Sequence, residues 1–194
     1  MLLGMPFPQG MEPNTECVSL EGIALQMTSS LNLQEVLTTI TQGIVDELDA
    51  SFARIWLLGS GDICKECYKA GICTNREKCL YLKASAGIYT NLDGEYRRIP
   101  LGKLPVGQIA SEGKPILSNS LFDDERFTNK KWISENGFCS NGGYPLIFRE
   151  ELLGTIAMFS RNKIQQFEFK YIAGFTNQAS IAIKNAQLSG EVEK

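Results

Sequence analysis

Apolar residues recur along the chain at two spacings, and each spacing predicts one type of secondary structure. Steps of three and four residues place side chains on one face of a helix, and they begin at Leu20, Ile23 and Met27. A second helix is predicted over residues 33–48, because Asn32 and Glu35 have the spacing of an N-terminal capping box. A last helix is predicted from about Gln165, with the heptad steps of a pairing helix at Ile172, Phe175, Ala179, Ala182 and Ala186.

Shorter runs rich in β-branched and aromatic residues predict strands. These runs cover residues 51–58, 80–86, 96–101, 115–118, 143–148 and 152–160. Two short helices are predicted among them, over 105–112 and 129–137, and the first is opened by Pro105 and closed by Gly113. This order of elements predicts an α+β fold with mostly antiparallel strands.

The composition excludes several classes of function. Nineteen basic and 22 acidic residues give a net charge of −3 without a basic block, so no nucleic-acid partner is expected. The chain has no histidine, which excludes Ser-His-Asp and Cys-His catalysis, a phosphorylatable histidine and His-ligated metals within it. It has no run of about 18 apolar residues, so no membrane insertion is expected. The first residues lack the charged segment of a signal peptide, and the expected location is cytoplasmic.

Four of the six cysteines lie close together with the spacing C-x2-C-x5-C-x5-C: Cys64, Cys67, Cys73 and Cys79. They belong to a connection over 59–79, which is far longer than a hairpin loop of about two to five residues. Four thiolates suit zinc or an iron–sulfur cluster, and the neighbouring lysines and arginines favour the thiolate form. Local disulfides or a redox dithiol stay open as alternatives, as do free thiols without a role, because a zinc knuckle usually repeats C-x2-C.

Three stretches carry a more specific signal: LPVGQIASEGKPILSNS, GYPLIFREELLGTIAMFS and FEFKYIAGFTNQASIAIKNAQL. Together they resemble GAF domains, the small-ligand sensory modules of signalling proteins, over about residues 33–188. The resemblance implies a six-stranded antiparallel sheet with the terminal helices on one face and a ligand pocket on the other. It also implies that the terminal helices pair with a second copy of the chain. Packing of the apolar helix positions on the sheet is the alternative.

The domain organisation follows from these assignments. Residues 1–16 are predicted to be a flexible leader, and 17–32 an N-terminal signalling helix. The GAF-like domain is expected over 33–188, with the cysteine-rich insertion at 59–79. Residues 189–194 are expected to begin a linker to an output module, because the final helix has no terminating glycine motif or proline.

The known subtypes of the family differ in residues that can be checked here. Bilin-binding GAF domains attach their chromophore through a cysteine beside a histidine, so a bilin is excluded. Cyclic-nucleotide-binding members carry an N-K...F...D-E signature; Asn129, Lys130 and Phe138 match it, but the acidic pair is missing, which disfavours a cyclic nucleotide. GAF-type methionine sulfoxide reductases use a cysteine where Val106 stands. The ligand is therefore not identified by subtype.

The pocket of such a domain is expected to be lined by residues of the segments over the sheet: Phe122, Phe127, Trp132, Phe138, Ser140 and Tyr144. The predicted function is sensory, as a non-catalytic domain of a two-component-type protein such as a sensor kinase or response regulator. The domain is expected to detect a small molecule, a metal or a redox state and to transmit the change through paired terminal helices. The alternatives are a thiol-based reductase that uses the Cys64 to Cys79 cluster, and a purely structural dimerisation module.

Overall fold

The structure is a computed structural model that describes residues 20–192. Within that range the helices are α1 (Leu20–Ser29), α2 (Leu33–Glu47), α3 (Leu104–Glu112), α4 (Lys130–Asn136) and α5 (Gln166–Val192). The strands are β1 (Phe52–Ser60), β2 (Lys78–Gly87), β3 (Arg98–Pro100), β4 (Ile116–Ser118), β5 (Ser140–Phe148) and β6 (Glu151–Ser160). The predicted leader at 1–16, the first residues of the predicted signalling helix and the last two residues of the chain lie outside the described residues.

The six strands form one antiparallel sheet in the order β3-β2-β1-β6-β5-β4. β1 lies near the middle and pairs with β2 on one side and β6 on the other. A row across the sheet joins Asn141 of β5 to Phe159 of β6, and Phe159 to Phe52 of β1. Residues in such a row project from the same face of the sheet. The predicted α+β class and the six-stranded antiparallel sheet are confirmed.

The helix ends match the predicted cap residues, with the difference that the Glu35 carboxylate reaches the Asn32 N–H through the Ser30 hydroxyl. The Asn32 side chain accepts a hydrogen bond from the Glu35 N–H at 3.1 Å, as in a capping box. The Asn32 N–H donates to the Ser30 hydroxyl at 3.1 Å, and that hydroxyl donates to the Glu35 carboxylate at 2.7 Å. Gly113 ends α3 in the left-handed conformation, with φ of 64°.

Among the helices of residues 20–192, none combines the length and the apolar character that a bilayer span requires.

The helices α2 and α5 cover one face of the sheet, and α1 packs against these two helices; together they form the larger core with the sheet. Alternate residues of β1 face these helices: Ala53, Ile55 and Leu57. The apolar helix positions singled out in the sequence are buried in the same core: Ile23, Met27, Ile172, Phe175, Ala179, Ala182 and Ala186. Each of these side chains is packed inside its own chain, which is the alternative given above. Pairing of the terminal helices with a second copy stays a prediction, and it would have to use other positions of the helices.

The helices α3 and α4 lie over the opposite face of the sheet, and the β1 residues Phe52, Arg54 and Trp56 point to this side. α3 approaches β3 closely at Gly107, where an added Cβ would lie 2.2 Å from the Pro100 carbonyl oxygen. Any side chain at this position would force the helix outward, so the approach requires glycine. The expected division, with the terminal helices on one face and a pocket on the other, is confirmed.

Candidate ligand cavity and cysteine cluster

A cavity of about 100 Å³ lies between the sheet and the short helices α3 and α4. We call it the ligand cavity, and six of its sixteen lining residues are aromatic: Phe52, Trp56, Tyr96, Phe127, Trp132 and Phe159. The rings of Phe52 and Phe159 are stacked with centroids 5.0 Å apart, and Phe127 meets Phe159 edge to face at 5.9 Å. A concave, largely apolar cavity with few polar groups is the usual form of a small-molecule site.

Arg54 places a positive charge in this apolar wall. Its Nε donates to the Ser85 hydroxyl at 3.1 Å, and its guanidinium carbon lies 5.3 Å from the centroid of the Phe52 ring. None of the ion pairs within residues 20–192 includes Arg54. Burial lowers the pKa of Arg54, while Tyr89 and Tyr96 act in the opposite direction. Arg54 is thus a half-buried cation without a carboxylate partner in the described part of the chain.

Arg126 also lines the ligand cavity, but its charge is already neutralised. Its Nε lies 2.9 Å from Oδ1 of Asp124, and its Nη2 lies 2.5 Å from Oδ2 of the same carboxylate. The Arg126 guanidinium holds the pKa of Asp124 well below its ordinary range. Asp124 does not line the cavity, and none of the described aspartates and glutamates does. The unneutralised charge of the wall is therefore positive and belongs to Arg54.

Asn141 adds a hydrogen-bond acceptor to the floor of the cavity. This residue is 1% exposed, and its Nδ2 donates to the Met158 carbonyl oxygen at 2.9 Å. Its Oδ1 is buried and has no hydrogen-bond partner among residues 20–192. A buried acceptor without a partner costs about 1–3 kcal/mol, and such atoms are rare in native proteins. Asn141 therefore calls for an explanation beyond the packing of the core.

Hydrogen bonds behind the wall hold Trp132 in place. Its indole N–H donates to the Tyr89 hydroxyl at 3.1 Å, and that hydroxyl donates to Oδ1 of Asn136 at 2.9 Å. The Asn136 amide closes the ring by donating to the Trp132 carbonyl at 2.9 Å. α4 is anchored by Lys130, whose ammonium donates to the Leu121 carbonyl at 2.8 Å. Trp132 is therefore held in the wall by hydrogen bonds within the chain.

The structure brings together two of the six residues predicted for the pocket and separates the other four. Phe127 and Trp132 line the ligand cavity. Phe138 lies behind Trp132, with ring centroids 4.9 Å apart, and does not reach the cavity. Phe122 is 63% exposed, outside the cavity and ahead of α4.

Ser140 and Tyr144 have to be corrected for a different reason, because they face the opposite side of the sheet. The Ser140 hydroxyl donates to the Asn162 carbonyl at 2.5 Å. Tyr144 is buried in the helix-side core, where its hydroxyl donates to the Phe169 carbonyl. Since successive residues of a strand face opposite sides, the residue of this segment that reaches the cavity is Asn141.

Sequence reasoning missed the strand residues that form the floor of the cavity, above all Arg54 and Asn141. The available signal was an arginine inside the otherwise apolar run SFARIWLL, and an asparagine directly after Ser140 at the start of β5. Polar groups in strands that are covered on both faces are costly to bury, so they indicate a function when nothing in the chain satisfies them.

The four clustered cysteines line a second, much smaller cavity of about 20 Å³. Cys64, Cys67, Cys73 and Cys79 are half-buried free thiols there, and the Arg98 side chain lies beside them. Within residues 20–192, no group of three or more Cys, Asp or Glu side chains is arranged so that it could hold a metal ion. The four cysteines therefore share one cavity, as their spacing suggested, without the ligand geometry of a metal site.

Cys79 is the cysteine with the most perturbed ionisation. Burial raises the pKa of its thiol to about 11, and the negative charge of ionised Cys67, Cys73 and Cys64 acts in the same direction. The Arg98 guanidinium opposes this shift without cancelling it. Cys79 is therefore a neutral thiol near pH 7, and a neutral thiol is a poor nucleophile and a poor metal ligand.

The cysteine-rich insertion touches the ligand cavity through Lys69. The Lys69 ammonium lies 4.7 Å from the centroid of the Tyr96 ring and forms an ion pair with Glu95. Tyr96 belongs to the wall of the ligand cavity, and its carbonyl accepts a hydrogen bond from the Trp56 indole at 2.9 Å. Lys69 therefore gives the cysteine-rich insertion a direct contact to Tyr96, a residue of the cavity wall.

The family model of the GAF domain matches residues 32–183, more than three quarters of the chain. The chain belongs to the GAF domain family. No curated protein matches this sequence at a significant level. In this GAF domain, the family match covers the whole sheet and both short helices over the cavity, together with the cysteine-rich insertion.

Solved structures share the fold of this GAF domain at low sequence identity. The GAF domain of the Acinetobacter phosphoenolpyruvate-protein phosphotransferase has a TM-score of 0.66 and 18% identity, covering 89% of this chain and 94% of that one. The free methionine-R-sulfoxide reductase from Neisseria meningitidis, solved with its substrate, has a TM-score of 0.66 and 12% identity, covering 88% and 89%. Residues 122 to 287 of a methyl-accepting chemotaxis protein have a TM-score of 0.61 and 19% identity, covering 86% and 97%. These identities establish the fold alone.

Proposed function

We propose that this GAF domain is a sensory or regulatory module that binds a small molecule in the ligand cavity. The observation that carries the proposal is the cation of Arg54, set in an aromatic wall without a carboxylate partner in the described chain. The buried Oδ1 of Asn141, which lacks a partner within residues 20–192, supports it. Both groups are costly in a purely structural core. A ligand that pairs with both removes that cost, so the arrangement favours a binding site.

The change is transmitted, by this proposal, through an exposed stripe on α5. The stripe keeps heptad steps of four and three residues: Phe167, Tyr171, Gly174, Gln178, Ile181, Asn185, Leu188 and Val192. Five of its eight positions are large apolar side chains that are exposed. A heptad stripe is complementary to a copy of itself in a coiled coil. We therefore propose that this stripe packs against the same stripe on α5 of a second copy. The exposed stripe, and not the buried positions of the helix, is then the pairing face.

The larger context proposed for the module is a signalling protein of the two-component type, either a sensor kinase or a response regulator. Structures of the same fold come from a methyl-accepting chemotaxis protein and from a phosphoenolpyruvate-protein phosphotransferase, which supports a regulatory role. In such a protein a ligand shifts the output only by the difference between its affinities for two helix arrangements. The GAF domain would supply that difference and an attached output module would use it.

Thermal unfolding across a panel of metabolites tests the proposal. A compound that binds the native state alone raises the unfolding temperature of the wild-type chain. The control variant is Val106→Phe, which fills the ligand cavity because Val106 lines it. A stabilisation that is seen in the wild type and lost in this variant supports the proposal. If no compound stabilises the chain, the purely structural dimerisation module becomes the better account.

A thiol-based reductase is the second candidate function, because solved methionine sulfoxide reductases share the fold. Against it, none of the cysteines within residues 20–192 lines the ligand cavity. The cavity at the cysteine cluster has about 20 Å³, close to the roughly 10–15 Å³ that a single water needs, so it has no room for a substrate. Steady turnover of free methionine sulfoxide by the purified chain with dithiothreitol, lost in Cys64→Ser, would overturn the non-enzymatic proposal.

The cysteine-rich insertion is the proposed site of a metal or redox input. The shared cavity of the four thiols supports zinc or an iron–sulfur cluster, but the thiols must first move to a common centre, about 2.3 Å from each sulfur for zinc. Metal and labile-sulfide analysis of chain purified without oxygen decides this point, with Cys79→Ser as the control. About one zinc, or iron with sulfide, that is lost in the variant supports a metal. Absence of both, with thiols that oxidise reversibly, supports a redox dithiol.

A further inference from the structure

The charge of the ligand cavity restricts what it binds. Arg54 and Arg126 are the cations of its wall, and no carboxylate of the described chain lines it. Arg126 is already paired with Asp124. Arg54 is left to pair with a ligand, and a guanidinium partly removed from water recognises planar oxyanions, with which it forms two parallel hydrogen bonds. The ligand is therefore an anion.

The volume of the ligand cavity restricts the size of that anion. The cavity has about 100 Å³, whereas an engineered cavity of about 150 Å³ holds one benzene molecule. The space therefore admits at most one ring and excludes a nucleotide. Six aromatic side chains line it, and rings of this kind pack edge to face or offset against a planar guest. A carboxylate on one aromatic ring fits the charge and the wall, and it is the largest group that the volume allows.

Asn141 defines the other end of the ligand. β6 lies between β1 and β5, and Arg54 pairs with Ala157 whereas Asn141 pairs with Phe159, two residues further along β6. With about 4.8 Å between adjacent strands and about 3.4 Å per residue, the backbones of Arg54 and Asn141 are roughly 12 Å apart. The amide nitrogen of Asn141 donates to the Met158 carbonyl, and the Oδ1 of the same amide lacks a partner among the described residues. An amide oxygen accepts from O–H or N–H groups. The ligand therefore carries a donor at the end away from its carboxylate.

We propose that the ligand cavity binds a small aromatic carboxylate with a hydrogen-bond donor on the opposite side of its ring. The carboxylate pairs with Arg54, the ring packs within the aromatic wall, and the donor reaches Oδ1 of Asn141. This inference rests on the proposed sensory function of the cavity and adds the chemical class of its ligand.

Three probes test the inference on the complete 194-residue chain. 4-Hydroxybenzoate has both the charge and the donor, benzoate lacks the donor, and 4-hydroxybenzamide lacks the charge. Trp56 and Trp132 are the two tryptophans of the chain and both line the ligand cavity, so intrinsic fluorescence reports its occupancy beside calorimetry. We expect 4-hydroxybenzoate to bind most tightly, and each of the other two probes to bind about tenfold more weakly or worse.

Variants assign the two preferences to the two residues. Arg54→Met is expected to remove the preference for the acid over the amide, and Asn141→Leu to remove the preference for the hydroxylated over the plain ring. Arg149→Met is the matched control, because Arg149 is exposed in the turn between β5 and β6 and does not line the cavity. If Arg54→Met does not fold, the comparison of the three probes on the wild-type chain still decides.

Two further outcomes separate this inference from the function on which it rests. Equal affinity of the wild-type chain for 4-hydroxybenzoate and 4-hydroxybenzamide overturns the anionic class. Binding of 4-hydroxybenzoate that survives in Val106→Phe overturns the placement of the ligand in the cavity. If compounds of another class bind and Val106→Phe abolishes their binding, the ligand class is wrong and the sensory function stands. If no compound of any class binds, both are overturned.

Discussion

Replacing Asn141 with leucine is expected to remove the preference for a ligand that carries a hydrogen-bond donor, without lowering the stability of the unliganded domain. The wild-type side chain makes one hydrogen bond, from Nδ2 to the Met158 carbonyl, and leaves Oδ1 without a partner in the described chain. The bond contributes about 1 kcal/mol, and the buried acceptor costs about 1–3 kcal/mol. Removing both leaves the free energy of unfolding unchanged or raises it by up to about 2 kcal/mol.

Asn119 is the matched control, because it is an asparagine whose amide nitrogen and amide oxygen each make a hydrogen bond. Its Nδ2 donates to the Ile164 carbonyl at 2.9 Å, and its Oδ1 accepts from the Ile164 N–H at 2.9 Å. Asn119→Leu loses both bonds, which contribute about 1 kcal/mol each, and leaves two backbone groups of Ile164 without these partners. Because Asn119 is half-buried, water recovers part of the loss. We expect a destabilisation of about 2 kcal/mol.

Equilibrium unfolding in urea, followed by circular dichroism at one protein concentration without ligand, compares the two variants. The expected gap between them is about 2 kcal/mol or more, which corresponds to roughly 4–8 °C in unfolding temperature for a domain of this size. If Asn141→Leu destabilises the domain as much as Asn119→Leu, the Oδ1 of Asn141 has a partner in solution. The stability argument for a ligand at Asn141 then fails.

Three further predictions follow from other parts of the structure. Asp124 has its pKa held well below the ordinary 3.8 by Arg126, so the pair stabilises the fold by up to about 1 kcal/mol above that pH and less as the pH falls below it; the stability gap between wild type and Asp124→Asn in urea should narrow progressively as the pH falls below about 4. Ile181→Glu, in the exposed stripe of α5, should shift the chain toward monomer in light scattering, whereas Asn177→Glu, exposed beside the stripe, should not. Gly107→Ala places a Cβ 2.2 Å from a backbone carbonyl of β3 and should destabilise the domain by about 2 kcal/mol in the same urea assay, and an unchanged midpoint would contradict the close approach.

The type and order of the elements could be predicted from the sequence because the local signals agree with the fold. Asn32 caps α2, and Gly113 ends α3 where left-handed backbone is required. The C-x2-C-x5-C-x5-C spacing also predicted that the four cysteines lie together, because the short segments between them leave little freedom to separate. What spacing cannot give is the orientation of the four thiols, on which a metal geometry depends.

The face on which each β5 residue lies could not be predicted. Gly142 and Gly143 interrupt the alternation of apolar and polar residues that normally shows which side is buried. Without that alternation, the sequence pattern places Ser140 and Tyr144 at the cavity and does not single out Asn141. A change of one residue in register reverses every assignment, so two of the six predicted pocket residues were misplaced together.

The pairing face of α5 could not be chosen from the sequence either. A helix of heptad spacing can present two apolar stripes, and the sheet covers one of them. The stripe from Ile172 to Ala186 is buried in the core with the sheet, and the stripe that contains Phe167 and Ile181 lies outside. Burial by the sheet, which involves contacts far apart in sequence, decided between the two.

β1 is the physical link between the ligand cavity and the helices. Its odd and even positions face opposite sides, so a ligand on Arg54 pulls on a strand whose other face is packed against α2, which in turn packs against α5. Because protein interiors are close-packed, movement of β1 must be matched by these helices. The ion pair with Arg54 supplies about 1.5–3 kcal/mol and the bond to Asn141 about 1 kcal/mol. Even if both were made in one helix arrangement alone, about 4 kcal/mol is less than the roughly 5.5 kcal/mol needed to move an equilibrium from 1:99 to 99:1. The domain is therefore expected to change its pairing by degree, and a complete switch would require ligand contacts beyond these two.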